Sequence, residues 1–308
     1  MREEIDALLK NETWDLVPKP TGCQPVSCKW VYILKGKFDG SIDRFKDRFV
    51  ARGFSQHQGL DYEETFSPVT KMATVRTLIS LSAKMNWRLW QLDVKNAFLY
   101  GELNRDIFMM QPEGFVSNDH PSYVCKLKKA LYGLKQAPRA WYGKISQYFM
   151  FCGFKISNAD SSLFIKNNSG AHIVNLLYVD DMIITGSDEE QIAKLRKELA
   201  IHFEMKNLGE AKYFLGLEIE KLMDGYFVSQ SRYAKNMLNQ YQMNEAKEVA
   251  TPMEIHLKLL KEEGKLPENP NLYRKLSGSL IYLTITRPDL AYFFSVISQF
   301  VQEPRVPH

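Results

Sequence analysis

The stretch Leu176–Gly186, "LLYVDDMIITG", sets two adjacent carboxylates, Asp180 and Asp181, between two aliphatic runs. Short apolar runs bounded by turn signals read as buried strands. The acids then fall at the tip of a hairpin formed by "HIVNLLY" (172–178) and "MIITG" (182–186). Adjacent anions at a tight connection repel, a cost that a bound cation relieves; an Asx-type turn is the plain alternative for the pair taken alone. A third acid, Asp93, stands near the end of "WRLWQLDV" (87–94). Strand alternation puts Leu89, Gln91 and Asp93 on one side and Trp90, Leu92 and Val94 on the other. If the two strands are neighbours, three carboxylates converge at one end of a sheet. Hard oxygen ligands without His or Cys select magnesium or manganese over zinc. Two such ions about 3.5–4 Å apart activate an attacking hydroxyl and stabilise a leaving oxygen, the arithmetic of nucleotidyl transfer.

The rest of the chain limits the alternatives. Its 308 residues, 45% hydrophobic and 25% charged, have an ordinary globular composition with room for two or three subdomains. The net charge of +4 says little, but its distribution says more: six basic residues and no acid lie between Lys126 and Lys144, and seven basic against three acidic between Lys29 and Arg52. Such stretches suit a phosphate-rich partner or, equally, a solvated helix face. Cys23, Cys28, Cys125 and Cys152 form no CxxC pair and the six histidines are scattered, so a zinc site is not expected and reduced thiols are. The charged start, "MREEIDALLK", is no signal peptide, and no apolar run approaches the roughly 20 residues that span a bilayer.

Strand and helix signals alternate irregularly. "WVYIL" (30–34) and "FKDRFVARGF" (45–54) are candidate strands about a turn at Asp39-Gly40. Residues 72–85 read as a helix facing inward through Val75, Leu78, Ile79, Ser82 and Met85. Pro138 opens a helix with Trp141, Ile145 and Phe149 every four residues. Ser187 and Glu190 form a capping box ahead of Ile192, Leu195 and Leu199. "YFLGLEIE" (213–220) pairs with "YFVS" (226–229) across Asp224-Gly225, before a helix with Ala234, Met237, Leu238 and Tyr241 on one face. Residues 244–270 read as a polar loop and 271–300 as helical. This order predicts an α+β fold rather than a regular βαβ series.

Four words, "WQLDVKNAFLYGEL" (90–103), "LKKALYGLKQAPRAWY" (127–142), "LLYVDDMIITG" and "KYFLGLEI" (212–219), stand in the order of a reverse transcriptase palm. With "NETWDLVPKP", "KWVYILK", "ARGFSQHQGLDYEETFSPV", "QPEGF" and "LIYLTITRPDLAY", essentially the whole chain resembles the reverse transcriptases of copia-type long-terminal-repeat retrotransposons. The resemblance implies a right-hand polymerase: fingers at 1–88 and 105–135, palm from 89 to 222 around that insertion, and thumb or connection at 223–308. It implies RNA-directed DNA synthesis with two Mg2+ or Mn2+ ions, an RNA or DNA template with primer, and deoxynucleoside triphosphates. Asp93, Asp180 and Asp181 match the catalytic, metal-binding aspartates, with the Val94 carbonyl as a further metal contact. Phe98 matches the aromatic gate beneath the incoming sugar. Gln136 matches a glutamine at the nucleotide or template base, and Lys46 and Arg48 match cations that hold the triphosphate. Leu215 and Gly216 match the primer-grip turn, and Lys206 or Lys212 the lysine that protonates pyrophosphate.

The expected setting is the cytoplasm, in a virus-like particle of an intact element, or the nucleus. Protease, integrase and RNase H words are not among those present, so a polyprotein fragment is expected. The alternative is an inactive remnant that at most binds nucleic acid. Asp47, between the two finger cations, is the departure that favours this alternative. Gly143 inside the helix after Pro138 is a second departure, expected to cost about 1 kcal/mol.

Overall fold

A computed structural model describes residues 1–36, 42–168, 170–254 and 257–308. The expected turn at Asp39-Gly40 lies outside the described residues. The chain forms two compact units, Met1–Ala211 and Lys212–His308.

The first unit begins with α1 (Arg2–Lys10), β1 (Trp14–Val17), β2 (Cys28–Gly36), β3 (Ile42–Ala51) and α2 (Met72–Lys84). There follow β4 (Trp90–Val94), β5 (Glu102–Met109), β6 (Val124–Lys129) and α3 (Ala137–Phe151). It closes with β7 (Lys155–Ile156), β8 (Leu163–Asn168), β9 (Ala171–Tyr178), β10 (Asp181–Gly186), α4 (Glu189–His202) and β11 (Met205–Glu210). Among the described residues these strands make a six-stranded sheet ordered β11-β4-β10-β9-β8-β7, a three-stranded sheet β1-β6-β5 and the hairpin β2-β3.

The long sheet owes its shape to strands that are apolar on both faces. Leu92, Val94, Met182, Ile184, Ile173 and Leu177 are buried in one core with Trp141, Ile145 and Phe149 of α3 and Ile192, Leu195 and Leu199 of α4. By alternation Leu89, Leu176 and Ile183, also buried, face the other way. There α2 contributes Val75, Leu78 and Ile79, and the Ser82 hydroxyl meets that of Thr185 at 3.1 Å. A second core joins Ile5 and Leu8 of α1 to Phe49, Leu99, Ile107, Met109, Leu127 and Leu131.

Asp160 fastens α2 to the sheet. Its Oδ2 accepts from the Lys71 amide (3.0 Å) and the Thr74 hydroxyl (2.6 Å). Its Oδ1 accepts from the amide (2.9 Å) and hydroxyl (2.7 Å) of Ser162. Nothing in the sequence pattern singles this residue out.

Several local expectations are corrected. Helix α2 stops at Lys84, leaving Met85 as a C-cap that is 49% exposed rather than inward-facing. Strand β4 begins at Trp90, three residues later than the alternating pattern does. The cap of α4 is Asp188, which accepts from the Gln191 amide at 3.0 Å; the Ser187 hydroxyl is occupied by the His172 amide at 2.9 Å.

The second unit contains β12 (Tyr213–Phe214), β13 (Leu217–Leu222) and β14 (Gly225–Ser229), paired in that order. It continues with α5 (Ser231–Gln240), α6 (Pro270–Leu283) and α7 (Ala291–Ser298). Residues 213–220 are therefore not one strand. The chain reverses at Leu215-Gly216, both at positive φ (49° and 73°), and Tyr213 pairs with Glu218. No residue of α5 is buried, and Leu238 is exposed, so its apolar stripe is only partly covered.

Gly143 lies inside α3, and a Cβ built there meets no atom within 4 Å. Helix propensity alone then decides the substitution. Gly143→Ala is expected to stabilise the first unit by about 0.5–1 kcal/mol in urea. All five tryptophans, Trp14, Trp30, Trp87, Trp90 and Trp141, lie in that unit, so their fluorescence reads its unfolding. A lowered midpoint would refute the estimate.

Candidate active site

The sheet order brings distant carboxylates together. Strand β4 lies between β10 and β11, with Asp93 opposite Asp181 on one side and opposite Lys206 on the other. Directly paired residues of antiparallel strands project to the same face. Lys206, Asp93 and Asp181 therefore form a row across three strands, at the end of the sheet where the β9–β10 hairpin turns. The Val94 amide donates to the Asp180 carbonyl at 2.8 Å, closing β4 onto the hairpin tip.

The tip is a two-residue turn, Val179-Asp180, between the paired Tyr178 and Asp181. Val179 has φ 51°, a left-handed conformation that a β-branched side chain disfavours. Its carbonyl accepts from the indole nitrogen of Trp141 at 2.6 Å, so buried α3 helps to hold the strained turn.

The charges respond to this crowding. Burial first, then Asp180 and Asp93, push the Asp181 carboxyl up to about 6, against a 3.4 Å contact from the Gln91 amide nitrogen. The sign follows directly. A carboxyl whose folded pKa is raised costs stability as pH climbs from its unfolded value of 3.8 to about 6. That rise corresponds to at most about 3 kcal/mol, which solvent access reduces to about 1 kcal/mol. Asp181→Asn is therefore expected to stabilise the metal-free protein by about 1 kcal/mol at pH 7 and by almost nothing at pH 3.5. Urea titrations at both pH values check it, and a gain that is equal at the two would refute the electrostatic account.

Around the acids stand other expected residues. Phe98 follows β4 in a short turn entered through Asn96 (φ 56°) and is half-buried against both cores. Its ring meets Tyr132 edge-on at 4.7 Å. Arg48 stacks over the same Tyr132 ring at 4.6 Å, donates to Asn96 Oδ1 at 2.6 Å and lies 3.5 Å from a Glu4 carboxylate oxygen. Asp47 is ion-paired to the α-amino group of Met1 at 2.5 Å. Lys46 lies in β3 opposite Ile33, and its side chain is outside the described residues. Burial raises the Tyr132 hydroxyl pKa; Arg48 opposes this, while Asp180, Glu4 and Asp93 add to it, so the phenol lies within electrostatic reach of both the cation and the acids.

Gln136 precedes α3. Its Oε1 accepts from Gln56 Nε2 (3.1 Å), and its own Nε2 donates to the Asp61 carbonyl (3.3 Å). Buried Gln56 also accepts from the Lys135 amide at 2.9 Å. Among the six cations of 126–144, Lys126, Lys128 and Lys144 are ion-paired to Asp106, Asp15 and Glu102 at 2.6–2.9 Å, so half of that stretch is locally neutralised. Tyr132, Asn96 and Gln56 lie inside motif words, but no spacing rule marks them.

Leu215, Gly216 and Lys212 belong to the second unit. There the Tyr282 hydroxyl donates to the Leu215 carbonyl. Gly216 stands at φ 73°, a conformation that favours glycine, and a Cβ there would meet the outer end of the Tyr282 side chain.

The donor set, carboxylates alone, suits a hard divalent cation. Among the described residues no three His, Cys, Asp or Glu side chains are gathered tightly enough to hold one unaided. The cysteines are all free. Among the described residues no helix is long and apolar enough to cross a membrane.

The profile of the reverse transcriptase (RNA-dependent DNA polymerase) family matches residues 11–255. The retrovirus-related Pol polyprotein from transposon RE1 of Arabidopsis thaliana is 44% identical over 309 residues, covering all of this chain and 21% of its own length. That from transposon TNT 1-94 of Nicotiana tabacum is 42% identical over 320 residues, covering all of this chain and 24% of its own. The chain thus spans about a fifth to a quarter of these curated relatives. A telomerase from Candida albicans, solved with a fragment of telomeric RNA, aligns over 97% of this chain and 61% of its own at 10% identity. Its TM-score of 0.35 is too low to carry weight.

Proposed function

Since this chain belongs to the reverse transcriptase family, its match spanning residues 11–255, we propose that it is an RNA-directed DNA polymerase that adds deoxynucleotides to a primer 3′-hydroxyl. The register that sets Asp93 beside Asp181, with Asp180 at the adjoining turn, carries the reading. Two Mg2+ or Mn2+ ions bound there, completed by water and substrate phosphates, supply charge neutralisation and an activated hydroxyl.

The protein's own groups do the rest. Asp93, Asp180 and Asp181 hold negative charge at one sheet end, and the Val94 carbonyl is the further oxygen beside them. Phe98 lies under the sugar, where a ring collides with a 2′-hydroxyl. Arg48 and Lys46 hold the triphosphate, and Gln136, fixed by Gln56, orients the nucleotide or template base. Of the two candidate lysines the register favours Lys206, which stands opposite Asp93 on the acids' face, as the donor of a proton to the leaving pyrophosphate. Leu215 and Gly216 form the primer-grip turn. Fingers (1–88 with 105–135), palm (to 222) and thumb (223–308) divide this work along the chain. Template and primer are held through phosphate contacts that weaken with salt. The cytoplasm, within a particle, or the nucleus is the proposed setting.

Extension of oligo(dT) on poly(rA) tests this. Incorporation that requires Mg2+ or Mn2+ supports it. Duplex binding without incorporation at any enzyme concentration would overturn it in favour of a binding remnant.

A further inference from the structure

Tyr132 is the residue on which the gate and the cation meet. We propose that Tyr132 is a positioning residue that sets both the place of Phe98 beneath the sugar and the reach of Arg48 toward the triphosphate, and so controls sugar discrimination. The inference rests on the polymerase reading above.

Three observations carry it. First, the root of the ring is fixed. The Tyr132 carbonyl accepts from the Ala51 amide at 2.8 Å, at the end of β3. The next residue, Gly133 (φ 90°), is so close that a Cβ would lie 2.0 Å from the Ala51 carbonyl oxygen. The segment before α3 therefore cannot slide along β3, which also bears Arg48.

Second, the ring makes two contacts at once. Phe98 meets it edge-on, with centroids 4.7 Å apart and planes at 65°. The Arg48 guanidinium lies 4.6 Å from its centroid. Both geometries are attractive for an aromatic ring and are lost with an aliphatic side chain.

Third, the contacts close a loop onto the acids. Arg48 donates to Asn96 Oδ1 at 2.6 Å, and Asn96 and Phe98 follow Asp93 on the same turn. Removing the ring takes one support from Phe98 and one from Arg48 at once, leaving Arg48 only its contacts with Asn96 and Glu4, while Asp93, Asp180 and Asp181 keep their strand positions. The expected signature is therefore altered binding of the nucleotide rather than lost chemistry.

The test compares Tyr132→Leu, Tyr132→Phe and Phe98→Val with the wild-type chain in primer extension, using dTTP and UTP on poly(rA)–oligo(dT). Tyr132→Leu is expected to raise the dTTP KM about five- to tenfold with kcat within about threefold, and to reduce the dTTP-over-UTP preference about tenfold. Tyr132→Phe retains the ring and is expected to restore both parameters to within about twofold of wild type. The preference is a ratio measured on one preparation, so a partly unfolded sample does not move it. Unchanged KM and preference in Tyr132→Leu, while Phe98→Val admits UTP, would overturn the inference and leave the polymerase reading intact. Loss of preference in Tyr132→Phe as great as in Tyr132→Leu would also overturn it, since the hydroxyl and not the ring would then be responsible. A wild-type chain that extends no primer removes both the inference and its premise.

Discussion

Asp180→Asn abolishes cation-dependent primer extension, with an expected loss of at least about a thousandfold, while the fold stays intact. A thousandfold is about 4 kcal/mol of barrier, in the range observed when one preorganised electrostatic group is removed from a reacting centre. Asparagine keeps the shape and removes the charge. The fold contact made by this residue is through its backbone, whose carbonyl accepts from the Val94 amide at 2.8 Å. The substitution leaves that bond in place and removes one of the anions that push the Asp181 carboxyl up to about 6. Stability is therefore expected to hold or rise slightly as activity vanishes. Single-turnover extension in Mg2+ and in Mn2+, with tryptophan fluorescence as the folding control, measures both. Activity within tenfold of wild type would remove Asp180 from the machinery and, with it, the two-ion mechanism.

The parts of this site that could be read from sequence are those where a short pattern determines a long-range result. The β9–β10 hairpin is apolar on both flanks, so burial forces its two acids to the tip, and Tyr178 pairs with Asp181 as the pattern requires. Alternation in 90–94 placed Leu92 and Val94 against the helices and left Asp93 on the other face. What the pattern could not show was which strand β4 would join, because a register opposite both Asp181 and Lys206 depends on β11, more than a hundred residues later. The reversal at Leu215-Gly216 was implied by the family resemblance but not by the residue pattern, for another reason. A leucine at φ 49° carries no turn signal, and continuous apolar spacing reads as an unbroken strand. Tyr132 was equally illegible. Its partners Arg48 and Phe98 come from separate segments, and aromatic packing of that kind has no period along the chain.

Asp160 shows how a residue with no catalytic part can still decide whether the site exists. Asp160→Asn is expected to destabilise the first unit by about 3 kcal/mol at pH 7, as hydrogen bonds to a buried charged group contribute about 1.5–3 kcal/mol each and the losses are not additive. The side chain is 4% exposed, and its two oxygens accept four hydrogen bonds, from Lys71, Thr74 and twice from Ser162. An asparagine has one oxygen, so its NH2 must face two donors whichever way it turns. Burial alone would raise this carboxyl, but the bonds from Thr74, Ser162 and Lys71 outweigh it and hold it below the usual range. A depressed folded pKa gives stability that is complete above the unfolded value of 3.8 and is lost as pH falls through the folded value. The difference between wild type and variant should thus be full at pH 7 and pH 5 and shrink below pH 3.8. Urea midpoints followed by tryptophan fluorescence at these pH values give the comparison; a difference under 0.5 kcal/mol at pH 7, or one that grows on acidification, would contradict it. The consequence reaches the acids through α2. The Thr70 hydroxyl, one residue before Lys71, donates to the Leu177 carbonyl at 2.7 Å, three residues short of Asp180. Loosening the start of α2 therefore loosens the strand that carries the hairpin tip, and activity in this variant should fall with the unfolded fraction while nucleotide preference stays that of wild type.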